Sequence, residues 1–149
     1  MEMRYGRTNE QWQELINAAS ESLKRTAKLR RDTNYTALNH EICRATGQSA
    51  FDFANAADRA AMGELLGDVV DATFDEHEVM LSALVMYIDQ NRPGPGFYHL
   101  AASRGLLDAD ATPAQKEKVW IEQFNRAIDA YGRTRRNPRR GPSEMSDGG

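Results

Sequence analysis

Asp89, Arg92, Gly94, Gly96 and His99 place a carboxylate, a guanidinium, two glycines and an imidazole within one short stretch of the chain. They flank and fill Asn91-Arg92-Pro93-Gly94-Pro95-Gly96, where an apolar run turns into the start of a helix. A helix N-terminus entered through glycines can turn backbone amides toward an anion. Gly94, Gly96 and Phe97 would supply those amides, with Arg92 and His99 close in sequence, while Asp89 could act as a base or hold Arg92. RPGPGF is neither the dinucleotide fingerprint nor a P-loop, because it lacks the third glycine and the Gly-Lys-Ser/Thr ending. Its two prolines also remove two of the amides an anion nest needs. A rigid structural corner is therefore the preferred reading, and a phosphate or small-molecule site is the alternative.

The other reactive residues point to no specific chemistry. Asp75-Glu76-His77-Glu78 is the densest group of metal-ligand types, but consecutive residues rarely converge on one ion. An acidic, solvated loop is expected there, with no metal and no cofactor. His40-Glu41 does not open an HExxH motif, since position 44 is Arg. Cys43 lies three residues after His40, within reach on a helix. That pair lacks a visible orienting group, and a small buried hydrophobe is the simpler role for the single cysteine. Ser82 interrupts an apolar run and is not in a GxSxG elbow. No catalytic residue is assigned, and a non-catalytic protein is preferred over an enzyme.

Charge is unevenly distributed along the 149 residues. Residues 1–31 carry a net +3, residues 32–132 a net −9, and residues 133–149 a net +3. Lys24, Arg25, Lys28, Arg30 and Arg31 crowd the end of the first helix, and Arg133, Arg135, Arg136, Arg139 and Arg140 form an arginine-rich arm. An acidic body with basic ends does not resemble a dedicated nucleic-acid fold. It suits extensions that contact phosphate, or ends that fold back on their own body. No apolar run approaches the ~20 residues that span a membrane, and no apolar signal core opens the chain, so a cytosolic protein is expected.

These residues require elements to position them. Trp12, Ile16, Ala19, Leu23 and Ala27 repeat at helical spacing over 8–31, with Thr8 or Asn9 as the cap. That stripe would dock on the body or pair with a second copy in a homodimer. A second helix is expected over 35–46, capped by Asn34 and stopped by Gly47. Phe51-Asp52-Phe53 is read as an anchor. A third helix over 57–74 starts at Asn55 and carries Gly63 and Gly67 as a notch for close backbone approach. The apolar run 79–88 reads as a strand covered on both faces. A short helix follows the corner, with Gly105 as a stop. A last helix begins at Thr112-Pro113 and ends at Gly132.

LSALVMYIDQNRPGPGFYHLA, with YTALNHEICRATG and DRAAMGELLGDVV ahead of it, resembles a group of small uncharacterised bacterial proteins. Their pattern is an LSALV strand, a polar turn and PGxGF(F/Y) opening a helix. The resemblance covers about 33–131, and PGPGFY at 93–98 is its most specific part. It implies a compact cytosolic α+β domain and no particular activity.

The sequence thus predicts a helix-dominated α+β fold, with several helices around a small sheet containing strand 79–88 and a loosely winged-helix-like order. The expected parts are an amphipathic helix with a basic end (1–32), a globular domain (33–131) and a disordered arginine-rich tail (132–149). The leading functional expectation is an interaction module for a protein partner or nucleic acid, with the basic ends as contacts. A small hydrolase or ligand-binding domain at the PGPG turn is the alternative.

Overall fold

The computed structural model describes residues 3–136. Five helices dominate it: α1 (Asn9–Lys28), α2 (Tyr35–Thr46), α3 (Ala56–His77), α4 (Pro95–Ser103) and α5 (Pro113–Arg136). Four two-residue strands complete it: β1 (Met3–Arg4), β2 (Arg7–Thr8), β3 (Thr33–Asn34) and β4 (Val85–Met86). The fold is the helix-dominated α+β class that the hydrophobic spacing predicts. β1 and β2 pair antiparallel before α1, and β3 pairs parallel with β4. The antiparallel hairpin thus precedes the helices, and the wing of a winged-helix order has no counterpart among the described residues.

Local chemistry sets the helix ends. Thr8 caps α1 by accepting from the Gln11 amide, while Gln11 returns a bond to the Thr8 amide. Asn34 and Asn55 cap α2 and α3 in the same manner from their side chains. Gly47 ends α2 in the left-handed conformation, at φ 76°. Thr112 and Gln115 repeat the reciprocal cap at the start of α5. Gly132, expected to end α5, is buried inside it, and the helix continues to Arg136. A Cβ at Gly132 would lie 3.3 Å from the Ala27 carbonyl oxygen, so close approach to the end of α1 is the use of this glycine.

The apolar run 79–88 departs from the predicted strand. Residues 79–86 are all buried, but Leu81–Leu84 coil into a 3-10 turn and only Val85–Met86 pair as a strand. The reason is hydrogen bonding: β3 offers only two residues as a partner, so the remaining backbone turns on itself or bonds to side chains. The buried Gln123 accepts from the Met80 amide at 2.8 Å, and Trp120 Nε1 donates to the Ala83 carbonyl at 2.9 Å. A buried strand and a buried 3-10 segment have the same apolar signature.

α1 belongs to the core. Trp12, Leu15, Ile16, Ala19, Leu23 and Ala27 are buried in one cluster with residues of α2, α3 and α5. The stripe that a second copy could have covered is covered by the chain itself, which removes the basis for a homodimer through helix 8–31. Exposing these large side chains would cost about 1.5–3 kcal/mol each. The β1–β2 hairpin fastens α1 to α3: Trp12 Nε1 donates to Asp68 at 2.7 Å, and the Arg4 guanidinium lies 4.5 Å over the Trp12 ring while pairing with Glu64 and Asp68. Phe51 anchors its loop as expected, since the buried Asn39 amide bonds both its carbonyl and its amide.

Candidate functional site

The Pro/Gly corner is built by aromatic packing more than by glycine flexibility. The Tyr87 amide donates to the Arg92 carbonyl at 2.8 Å, and the Gln90 amide to the Tyr87 carbonyl at 3.1 Å. Asp89, not a glycine, carries the left-handed residue of the turn at φ 56°. Gly94 is at φ −70° and caps α4 without any side-chain hydrogen bond. It must be glycine because a Cβ there would stand 2.9 Å from Tyr87 Cδ1 and 3.3 Å from the Tyr35 hydroxyl. The Tyr35 and Tyr87 rings meet edge to face at 5.2 Å, and Phe53 packs on Tyr35 at 5.5 Å, so neither tyrosine has room to retreat.

Beside this corner lies an apolar pocket of about 340 Å³ between α3, α4 and the 3-10 turn. That volume is in the range of small-ligand sites. Gly63 and Gly67 form its α3 wall. No backbone fills the notch they leave, contrary to the packing role expected of them: a Cβ at Gly67 would meet nothing within 4 Å, and one at Gly63 only the Tyr35 hydroxyl at 4.0 Å. Leu66, Val85, Phe97 and Leu100 supply hydrophobic surface, and Gly94 and Gly96 contribute the α4 start.

The polar groups of the pocket are few. Ser82 lies in its wall, is 4% exposed, and its hydroxyl has no hydrogen-bond partner among the described residues. Such a group forgoes the bonds it made in water, an unusual state for a native interior. Tyr35 also lines the pocket, and burial together with the neighbouring Tyr87 pushes its hydroxyl up to about 12. It is therefore a neutral hydroxyl at any ordinary pH. His99 lies at the exposed rim, and Ser103 spends its proton on the Leu100 carbonyl at 2.8 Å.

Gly94, Gly96 and His99 are thus brought together, but Asp89 and Arg92 are not. Asp89 lines a separate cleft with Asp32 and His40. Arg92 is exposed and donates from Nε to Gln90 at 3.0 Å. The left-handed turn at Asp89 reverses the chain before Pro93, which separates these two side chains from the glycines that follow. A five-residue site assembled from this stretch is therefore corrected to a pocket holding three of the five.

The basic end of α1 is largely engaged by the acidic body. Lys24 pairs with Glu76 at 3.1 Å, Arg25 with Glu41 at 3.5 Å and Arg30 with Asp129 at 3.5 Å. Lys28 and Arg31 are exposed without an ion pair among the described residues. Arg133, Arg135 and Arg136 fall in the last turn of α5 rather than in a tail, while Arg139 and Arg140 lie outside the described residues.

Asp75-Glu76-His77 is the closing turn of α3 rather than a loop. Glu76 accepts from the Tyr131 hydroxyl at 2.7 Å, and His77 packs edge-on against the same ring. Among the described residues, no three side chains of metal-ligand type converge, and no helix is long and apolar enough to cross a membrane. The buried Cys43 thiol is within hydrogen-bonding distance of the Asn39 side-chain oxygen and the Ser49 carbonyl, and burial pushes its pKa up, which disfavours a nucleophilic role.

Sequence reasoning overlooked Tyr35 and Ser82 as pocket residues and misassigned the two α3 glycines. Ser82 had a visible signal, as the one hydroxyl in a buried apolar run. Tyr35 had none, because its spacing matches that of an ordinary core residue. Comparison of the chain with protein-family models, curated proteins and solved structures found no match.

Proposed function

We propose that this protein is a non-catalytic binding domain for a small, largely apolar molecule seated between α3, α4 and the buried 3-10 turn. The observation that carries this reading is the Ser82 hydroxyl, buried and unpartnered in the wall of an apolar pocket that two glycines keep open. A ligand would supply the missing hydrogen bond and cover the hydrophobic wall. Catalysis is not part of the proposal, because no base engages Ser82. The test is a titration of isotope-labelled protein with small aromatic and aliphatic compounds, followed at the backbone amides. Shifts at Gly63, Gly67, Gly94 and Gly96 are expected, and Gly67→Leu should abolish them in a protein that keeps its fold. Absence of shifts at these four glycines with every compound class overturns the reading.

Polyanion or protein contact through the basic ends is the second reading, supported by the exposed Lys28 and Arg31. It ranks below the pocket because Lys24, Arg25 and Arg30 are already held by carboxylates. If it holds, binding to DNA should weaken steeply with salt and be insensitive to base sequence. Affinity unchanged on truncation after Gly132 and in the Lys28→Ala, Arg31→Ala double variant would remove it.

A further inference from the structure

The polar side of the pocket is made of groups that can donate hydrogen bonds. The Ser82 hydroxyl is buried and unpartnered, and the Tyr35 hydroxyl is held in its protonated form by burial. The nine-residue helix α4 begins at the pocket with Gly94 as its cap and Pro95 at its first position. No side chain caps that end. The Phe97 amide bonds back to the Gly94 carbonyl at 3.1 Å, while the Gly96 amide has no partner among the described residues. The positive end of a helix dipole is thus left without a compensating anion from the chain. The pocket wall contains no Asp or Glu. Opposite this polar side, Leu66, Val85 and Leu100 offer surface for a hydrocarbon group.

We infer that the ligand is a small carboxylic acid, bound as its carboxylate at the uncapped start of α4 with the Ser82 hydroxyl as a further donor and its hydrocarbon part against Leu66, Val85 and Leu100. This rests on the reading of the pocket as a ligand site and adds the charge of the ligand. Two independent features converge on it: an unsatisfied helix N-terminus, which favours negative charge, and a buried hydroxyl that lacks an acceptor. A neutral amide of the same shape could accept from Ser82 but would gain little from the helix end.

The test uses the full chain and two matched pairs of probes, phenylacetate against phenylacetamide and hexanoate against hexanamide, titrated to millimolar concentration at neutral pH. Each acid is expected to shift the Gly94 and Gly96 amides and to bind about 10-fold tighter than its amide, the usual margin of a charge-assisted over a neutral hydrogen bond. Ser82→Ala, checked for an unchanged fold by its amide spectrum, should weaken the acid several-fold. Equal affinity for acid and amide overturns the carboxylate assignment and leaves the pocket reading standing. Acid-induced shifts confined to Lys28, Arg31 and other surface cations overturn it as well, as does an acid affinity that Ser82→Ala does not change. No shift at the pocket glycines with any of the four probes overturns both readings.

Discussion

Alanine at Gly67 and alanine at Gly94 should move stability in opposite directions, although both glycines line the same pocket. Gly67 lies inside α3, where a Cβ would have no heavy atom within 4 Å. Gly→Ala in a helix interior gains about 0.8–1 kcal/mol from propensity alone, and nothing here opposes it. Gly94 has a Cβ position 2.9 Å from Tyr87 Cδ1 and 3.3 Å from the Tyr35 hydroxyl. The two rings brace each other and Phe53 backs Tyr35, so the methyl group must displace packed aromatics, at a cost of about 1–3 kcal/mol. At 149 residues, 1 kcal/mol corresponds to roughly 2–4 °C in Tm. Gly67→Ala should therefore melt about 2–4 °C higher than the parent, and Gly94→Ala several degrees lower. Calorimetry and urea unfolding at neutral pH measure both. A Gly67→Ala protein destabilised by more than about 1 kcal/mol would mean that the α3 notch is filled by close packing, and the pocket argument would fail with it.

Three further outcomes follow from particular contacts. Ser82→Ala removes a buried hydroxyl with no partner, so the unliganded protein should be as stable as the parent or more so in urea unfolding, against the usual cost of a core polar deletion. Gln123→Leu leaves the Met80 amide buried without its acceptor, and should lower stability by about 1–3 kcal/mol. The Tyr131 hydroxyl, reinforced by Lys24, holds the Glu76 carboxyl below the usual carboxylate range. Because the folded pKa is depressed, that stabilisation is complete above the ordinary carboxylate pKa and is lost as pH falls through the lower folded value. The stability gap between parent and Tyr131→Phe should accordingly narrow on acidification from neutral pH, as followed by melts across that range; a widening gap would contradict the assignment.

The helices were legible because their signals are local. Asn34, Gly47, Asn55 and the Thr112-Pro113 pair mark ends by side-chain chemistry that does not depend on the rest of the fold. The form of residues 79–88 was not legible, because burial from Val79 to Met86 is common to a strand and to a 3-10 turn, and the decision lies with distant acceptors such as Gln123. The glycines were misread for a related reason. Sequence shows that a side chain is missing at Gly63, Gly67 and Gly94, but not what occupies the place: tyrosine rings at Gly94, open space at Gly67. The hairpin of residues 3–8 escaped notice because its two-residue strands are too short for an alternation pattern.

The place of α1 bears on what the rest of the surface can do. Its apolar stripe is covered by α2, α3 and α5, which fixes its basic end beside Glu41, Glu76 and Asp129. These exposed pairs contribute little to stability, yet each carboxylate cancels a charge that a phosphate would need. The alternation of basic ends and acidic body therefore reads in the fold as self-neutralisation over most of α1. The start of α4 shows the reverse condition: an uncapped helix end, with no carboxylate of this chain in the adjoining pocket wall, next to a hydroxyl without a partner. Where the chain supplies counter-charges to its lysines and arginines but leaves this one positive end open, the unmet demand for an anion lies at the pocket and not at the basic termini.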